Sequence, residues 1–321
     1  MSERAKSINT FTLPSFAKIN FSLRILGKRT DGYHEIQTVL QTVSLRDELT
    51  FSLHSGKEIL FSCDDASVPT DRRNLVVRAA LKLREVFKII PGAEIHLKKN
   101  IPVQAGLGGG SSNAAITLMA LAHLWKLETG GSELRAIAAS LGADVPFFLH
   151  GGRALATGIG TTLSLLPDRE TVHLLIITPQ AKISTAEAYN SLGFSALTTP
   201  ASESILAVSR GDAHSQNSDQ SGVLGELAND FEQVIFDSQP EIARARQVLV
   251  DNGARAVLLA GSGSSVFGIF DSPQEQQHAF EKIRLESGWR IFPCDTISRE
   301  EYFRALGDYG PRSYALLNSV I

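Results

Sequence analysis

The chain has 321 residues, of which 43% are hydrophobic and 20% charged, and its formal net charge is −3. This length exceeds the size at which single cores usually stop growing, so we expect two lobes. The slightly acidic balance excludes a general electrostatic attraction to nucleic acid. The only two cysteines, Cys63 and Cys294, are too few for a disulfide framework or a recognisable zinc site.

The N-terminal stretch lacks the apolar core of a signal peptide, and no window approaches the roughly 18 apolar residues of a membrane span. We therefore expect a cytoplasmic protein without a membrane partner, whose first ten or so residues form a loose tail.

The first regular element alternates strictly from Ala17 to Ile25 and predicts a half-buried strand. On this pattern Lys18 reads as a solvated lysine on the outward face. A turn follows at Asp31-Gly32. Tyr33 and His34 come directly after it and open the next strand.

Residues 49–54 and 58–63 then read as strands, and residues 71–87 as a helix with one apolar face formed by Leu75, Ala79, Leu83 and Val86. Residues 93–102 read as a strand that leads into a glycine loop. The loop, "IPVQAGLGGGSSNAA" from residue 101, holds four glycines between Gly106 and Gly110. It fits neither a Walker A loop, which needs Gly-Lys-Ser/Thr, nor the dinucleotide fingerprint, whose sixth position is here Ser111.

The loop nevertheless opens a helix. Apolar residues recur at Ala114, Leu118, Leu121 and Trp125, which predicts one amphipathic face. Ser111, Ser112 and Asn113 are N-cap residue types just before that face. Glycines that let backbone N–H groups converge, at the positive end of a helix dipole, favour phosphate binding over a simple tight turn.

Two further segments stay open to two interpretations. Asp144 precedes Pro146 by two residues, which is typical of a helix cap but also of a carboxylate presented at an active site. The Gly-Ser run from Gly261 to Ser265 lies between two apolar strands, as a hairpin or as a ligand contact.

The second half contains a strand at residues 173–178, helices at residues 184–192 and near 229–236 with Asn229 and Asp230 as capping types, and a helix from Ser298 to Leu306 followed by a wrapping tail. Ser209 to Gly222 reads as a mobile surface loop.

These pieces resemble the GHMP kinases, the family of galactokinase, homoserine kinase and the mevalonate kinases. "PVQAGLGGGSSNAA" is similar to that family's second motif and "AGSGSSVFGIF" to its third. "FAKINFSLRILGKRTDGYHEIQTV" and "LGADVPFFL" resemble those members that act on a cytidine-diphosphate-linked methylerythritol. The likeness runs from about Phe16 to Phe270.

The resemblance implies an α+β, two-lobed fold. The N-terminal lobe, residues 1–165, would resemble ribosomal protein S5 domain 2, and the C-terminal lobe, residues 166–321, a split βαβ sandwich. It implies ATP-dependent phosphorylation of the 2-hydroxyl of that methylerythritol compound in the non-mevalonate isoprenoid pathway. We expect a small-molecule substrate, no nucleic acid, and a monomer or weak homodimer.

The resemblance also implies roles for single residues. Lys18 and Asp144 are the implied catalytic pair, with Asp144 as general base or orienting group and Lys18 as the cation that offsets developing charge. The implied nucleotide-binding residues are Pro102, Val103, Gln104, Ala105, Gly106, Leu107, Gly108, Gly109, Gly110, Ser111 and Ser112. Mg²⁺ is expected with ATP, and either Ser111 or Ser112 is expected to meet the metal or a phosphate; no protein side chain is assigned as a metal ligand.

On the acceptor side, Tyr33 and Tyr189 are implied to sandwich the cytosine while His34 reads its polar edge. Thr185 and Asn20 complete the implied substrate-binding residues. The family stretch that "KISTAEAY" matches carries phenylalanine where this chain has Tyr189, which keeps the ring and adds a hydroxyl.

Three alternatives compete with this interpretation. Another GHMP kinase would keep the glycine loop without needing an aromatic clamp. A dinucleotide-binding oxidoreductase disagrees with the glycine spacing. A nucleic-acid-binding module disagrees with the acidic charge.

Overall fold

A computed structural model describes residues 10–192 and 227–310 of the chain. The predicted loop from Ser209 to Gly222, most of the predicted N-terminal tail and the end of the predicted C-terminal tail lie outside these residues. In the described ranges no helix has the length and apolar character needed to cross a bilayer.

Eleven strands lie in the described residues: β1 (Phe11–Lys28), β2 (His34–His54), β3 (Ile59–Cys63), β4 (Gly92–Lys98), β5 (Arg153–Gly158), β6 (Thr162–Leu165), β7 (His173–Thr178), β8 (Ala228–Asn229), β9 (Ala256–Leu259), β10 (Val266–Phe270) and β11 (Arg290–Asp295). They form two sheets. The seven-stranded sheet has the order β3-β4-β2-β1-β8, with β5 pairing with β2 and β6 with β5. The four-stranded sheet has the order β11-β7-β10-β9.

The helices are α1 (Leu75–Phe87), α2 (Gly109–Leu124), α3 (Gly131–Leu141), α4 (Thr185–Ser191), α5 (Glu232–Ser238), α6 (Pro240–Asp251), α7 (Pro273–Lys282) and α8 (Arg299–Leu306). Short 3₁₀ turns cover Pro146–Leu149 and Gly307–Tyr309. Seven of the nine strand pairs in the described residues are antiparallel, which distinguishes the fold from a repeating βα pattern and confirms the predicted α+β class.

Strand β1 is buried on both faces, so the predicted half-buried strand is wrong. Ala17, Ile19 and Phe21 join the cluster formed with the four-stranded sheet. On the opposite face the Lys18 side chain is only 5% exposed, because the strand lies between the second sheet and the glycine loop. These covering segments come from distant parts of the chain, and periodicity within one strand does not report them.

Helix α2 begins at least three residues earlier than its residue types suggest. Its N-cap is Gly108 in the left-handed region, so Ser111, Ser112 and Asn113 lie inside the helix and do not cap it. Nor does α2 have one apolar face, since nearly all of its residues are buried. It is a central helix that packs against β1, β2, α1 and α3, and a helix surrounded in this way is apolar all round.

The caps and faces of two other helices differ from the sequence prediction, whereas a strand and a hairpin agree with it. Helix α1 starts at Leu75 with the Asn74 side chain as its cap, and Val86, expected on the buried face, is 44% exposed. Asn229 and Asp230 do not cap a helix, since the N-cap of α5 is Phe231. The strand at residues 173–178 and the hairpin around the Gly-Ser run are confirmed.

The C-terminal helix α8 is confirmed, with Ser298 as its N-cap in a capping box with Glu301. Its Tyr302 is fully buried in the hydrophobic cluster beneath α2, and the Tyr302 hydroxyl donates to the Phe148 carbonyl oxygen. Helix α8 thus packs against the hydrophobic core of the seven-stranded sheet. The division of the chain at residue 165 stays a prediction.

Candidate active site

A cavity of about 1190 Å³ lies where the glycine loop, β1, residues 139–144, α4 and the Gly-Ser loop meet. Of the residues that the sequence predicts for the site, all but Ser112 line it. Residues separated by up to about 170 positions are thereby brought to one place, as small-molecule sites require.

The glycine loop needs its glycines for close backbone contacts. Gly106 has a φ of +77° and Gly108 a φ of +69°, a region that other residues rarely adopt. A Cβ on Gly108 would lie 2.9 Å from Lys18 Cγ and 2.9 Å from Phe148 Cζ. The loop is also tied to β1, because the Lys18 N–H donates to the Leu107 carbonyl oxygen at 3.0 Å.

The Gly-Ser loop packs directly on the glycine loop. The Ser265 N–H donates to the Ala105 carbonyl oxygen at 3.3 Å, and a Cβ on Gly106 would overlap the Ala260 carbonyl oxygen. Asn229 also stabilises the Gly-Ser loop, since its Nδ2 donates to the Gly261 carbonyl oxygen at 2.7 Å. The run is therefore both a hairpin and a wall of the cavity.

The two serines of the α2 first turn face different environments. Ser111 lines the cavity. Ser112 is fully buried, and its Oγ accepts a hydrogen bond from Ser15 Oγ at 2.8 Å. Ser111 is thus the serine whose side chain lies at the cavity.

The segment that follows β4 and the N-terminal part of α2 share a buried carboxylate, Asp47. Its Oδ1 accepts from the N–H groups of Asn100 and Ile101, both at 2.7 Å. Its Oδ2 accepts from Lys99 Nζ at 2.6 Å and from Asn113 Nδ2 at 3.0 Å. The sequence reasoning missed this network, since no local pattern marks an aspartate whose partners lie over fifty residues away.

Lys18 and Asp144 both line the cavity and form an ion pair there. Lys18 Nζ lies 3.6 Å from Asp144 Oδ2, with side chains that are 5% and 37% exposed, respectively. The ammonium also donates to Asn20 Oδ1 at 2.7 Å. A buried lysine needs such oxygen partners because an unpaired buried charge is very costly.

Asp144 does not act as a helix cap. The following 3₁₀ turn has Val145 at its N-cap position and no side-chain capping bond. The carboxylate is partly exposed to the cavity instead. The helix-cap interpretation is therefore wrong, and Asp144 is one of the residues that line the cavity.

The predicted acceptor residues line the same cavity. The rings of His34 and Tyr189 stack at 4.7 Å between centroids with an interplanar angle of 19°, whereas Tyr33 is 62% exposed. It is thus His34, and not Tyr33, that lies against Tyr189 here. Thr185 Oγ1 lies 3.3 Å from Ser262 Oγ and joins α4 to the Gly-Ser loop.

Tyr189 contacts a second aromatic ring besides His34. It packs edge-on against Phe231 with ring centroids 5.0 Å apart. Burial, with a smaller contribution from the negative charge of Asp144, raises the pKa of Tyr189 to about 12. Its hydroxyl therefore stays protonated at neutral pH and adds no charge to the cavity.

Residues that the sequence did not single out also line the cavity, among them Thr38 and Phe231. Thr38 Oγ1 accepts from Asn20 Nδ2 at 2.7 Å. Within the described ranges, no group of three or more His, Cys, Asp or Glu side chains is arranged to hold a metal ion.

Comparisons with known proteins agree with this geometry. The family model described as GHMP kinases N terminal domain matches residues 74–152, and that described as GHMP kinases C terminal matches residues 212–286. The 4-diphosphocytidyl-2-C-methyl-D-erythritol kinase of Prosthecochloris aestuarii is 39% identical over 288 residues, or 89% of this chain and 98% of the relative. That of Syntrophotalea carbinolica is 38% identical over 282 residues, or 88% of this chain and 97% of the relative.

A solved structure supports the same likeness. A crystal structure of 4-(cytidine 5'-diphospho)-2C-methyl-D-erythritol kinase matches with a TM-score of 0.75 at 32% sequence identity. The match covers 89% of this chain and 99% of that one.

Proposed function

Because this chain belongs to the GHMP kinase family, we propose that it transfers the γ-phosphate of ATP to the 2-hydroxyl of 4-diphosphocytidyl-2-C-methyl-D-erythritol. The predicted two-lobed GHMP kinase fold is confirmed by the family match and the structural likeness. The chain is thus a small-molecule kinase of the isoprenoid precursor pathway that avoids mevalonate.

The observation that carries the proposal is the Lys18–Asp144 pair, which faces the glycine loop across one cavity. Phosphoryl transfer through a loose transition state depends mainly on positioning and charge stabilisation. Asp144 orients the accepting hydroxyl and takes its proton. Lys18 holds the carboxylate in place and offsets the negative charge that develops on the transferring group.

The loop from Ala105 to Ser111 holds the triphosphate. Its residues and the N-terminus of α2 line the cavity, where helix N-termini with free N–H groups favour anions, and the close approaches at Gly106 and Gly108 leave no room for side chains there. Unlike a Walker A loop, this loop supplies no lysine to the phosphates. The backbone dipoles therefore provide much of the protein's contribution to binding.

Mg²⁺ fits this cavity as a companion of the nucleotide. The ion prefers oxygen ligands, keeps several waters and is usually held by one or two protein oxygens together with phosphates. Ser111 and the partly exposed carboxylate of Asp144 would supply such oxygens. When bound, Mg²⁺ neutralises phosphate charge.

The cytidine diphosphate end of the acceptor lies toward Tyr33, His34 and Tyr189. A base stacked on an aromatic ring gains roughly 1–3 kcal/mol. Tyr189 offers a ring that packs against Phe231, whereas Tyr33 is exposed and would have to move to cover the other face of the base. His34 would then leave the face of Tyr189 and contact the polar edge of the base.

A comparison of acceptors tests this function. The purified chain is given ATP and Mg²⁺ with 4-diphosphocytidyl-2-C-methyl-D-erythritol, mevalonate or homoserine, and ADP release is measured. We expect turnover with the cytidine compound only. Turnover with mevalonate or homoserine and none with the cytidine compound would replace the proposed substrate.

Two variants of one residue test the base contact. Tyr189→Ala removes the stacking ring and should raise the KM for the cytidine substrate by about 5- to 150-fold, while the KM for ATP changes by less than about twofold. The matched control Tyr189→Phe keeps the ring and should retain the KM of the parent chain within about threefold. Equal KM values for the alanine and phenylalanine variants would remove Tyr189 from base binding.

A further inference from the structure

A buried chain of hydrogen bonds runs from the catalytic lysine away from the cavity. Lys18 Nζ donates to Asn20 Oδ1 at 2.7 Å, and Asn20 Nδ2 donates to Thr38 Oγ1 at 2.7 Å. Thr38 Oγ1 in turn donates to the Ser22 carbonyl oxygen at 2.6 Å. All four residues are at least 96% buried.

The hydrogen bonds of this series can point in one direction only. A hydroxyl has a single proton, and Thr38 uses it on a backbone carbonyl, which can only accept. The Thr38 oxygen is therefore left as an acceptor, which requires the amide nitrogen of Asn20 to face it. The amide oxygen of Asn20 must then face the opposite way, toward the Lys18 ammonium.

The register of the sheet makes this contact possible. The register between β1 and β2 shifts by one residue between Asn20 and Ser22. Thr38 therefore pairs with Leu23, whereas an unshifted register would pair it with Ser22. The irregularity brings the Thr38 hydroxyl within reach of both Asn20 and the Ser22 carbonyl. Bulges of this kind commonly re-aim a side chain beside an active site.

We propose that Thr38 is a positioning residue for phosphoryl transfer, which fixes the Asn20 amide so that its oxygen holds the Lys18 ammonium beside Asp144. This inference rests on the proposed function of Lys18 and Asp144. Thr38 acts through Asn20 and Lys18 and needs no contact with the reacting atoms.

Loss of the hydroxyl has a definite consequence. The Asn20 NH₂ would be left buried without its acceptor, which is unfavourable. Turning the amide toward water in the cavity relieves this and withdraws the oxygen from Lys18. The ammonium then leaves its place beside Asp144, and displacements of about 1 Å at such a position cost up to about 100-fold in rate.

Thr38→Val, which keeps the shape and removes the hydroxyl, tests the proposal. We expect kcat to fall by about tenfold or more, while the KM values for ATP and for the cytidine substrate change by less than about threefold. Thr38→Ser restores the hydroxyl and should recover kcat to within about threefold of the parent chain. If circular dichroism shows that Thr38→Val is unfolded, Thr38→Ala replaces it in every comparison.

A double-mutant cycle separates positioning from a general structural role. In the Asn20→Ala background, Thr38→Val should lower kcat by less than about twofold, because the group through which Thr38 acts is absent. An equal loss in both backgrounds, an unchanged kcat in the single variant, or no recovery in Thr38→Ser would each overturn the proposal. A parent chain that fails to phosphorylate the cytidine substrate would instead refute the proposed function.

Discussion

Gly106→Ala is the substitution that most directly strains the contact between the two loops of the active site. The new methyl group would overlap the Ala260 carbonyl oxygen and lie 3.0 Å from the Gly263 carbonyl oxygen. These are backbone atoms, so the overlap cannot be relieved by turning a side chain. The φ of +77° at Gly106 adds a second unfavourable term, because alanine rarely adopts it.

The magnitude follows from these two terms. A left-handed conformation costs a non-glycine residue about 1–2 kcal/mol, and overpacking at a tight contact costs about 1–3 kcal/mol. A total of about 3 kcal/mol corresponds to a loss of about 5 °C in the midpoint of thermal unfolding for a chain of this size. Since relief of the overlap displaces the loop, the KM for ATP should rise by about tenfold or more.

Gly110→Ala provides the matched control for stability. The nearest atom to its new methyl group is Leu75 Cδ1 at 3.7 Å, an ordinary contact, and Gly110 lies within helix α2. Its unfolding midpoint, measured by differential scanning calorimetry, should be equal to or slightly above that of the parent chain. The reasoning is refuted if both variants shift the midpoint equally, or if Gly106→Ala keeps both the parent midpoint and the parent KM for ATP.

Three further predictions concern the surroundings of the cavity. Ser112→Ala should lower the free energy of unfolding in urea by about 1 kcal/mol through loss of a buried hydrogen bond, whereas Ser111→Ala should act mainly on the KM for ATP; the reverse pattern would contradict their assignment. Asp47→Ala should destabilise the chain by about 3–5 kcal/mol, because it leaves a buried lysine and several donors without their acceptor, and a loss below about 1 kcal/mol in the same measurement would contradict this. Burial, assisted by nearby arginine charges, lowers the pKa of His150 from 6.5 to about 4. Because the unfolded chain takes up this proton at a higher pH than the folded chain, the free energy of unfolding should fall by about 3 kcal/mol as the pH falls from about 6.5 to 4. His150→Gln should show a smaller fall.

Local patterns in the sequence predicted the elements that local physics determines. The glycine loop that opens a helix, the hairpin around Gly261 and the capped helix at Ser298 depend on residues close together in the chain. The resemblance to a family then brought Lys18 and Asp144 to one site, which spacing alone did not do. Both residues line the cavity in the structure.

What the sequence did not reveal depends on distant segments. Lys18 reads as a surface residue within its own strand, and only the glycine loop and the second sheet bury it. Asp47 and Thr38 carry no local signal, because their partners are reached through strand pairing and a shift in register. The cap of α2 was mispredicted because glycine satisfies the conformation there without a side chain.

The central claim is that the Asp144 carboxylate faces the accepting hydroxyl while the glycine loop holds ATP. The most direct test is kcat for Asp144→Asn with ATP, Mg²⁺ and 4-diphosphocytidyl-2-C-methyl-D-erythritol, measured beside circular dichroism to establish folding. The account predicts a folded variant whose kcat is lower by about 100-fold or more. A folded Asp144→Asn variant with the kcat of the parent chain would contradict it.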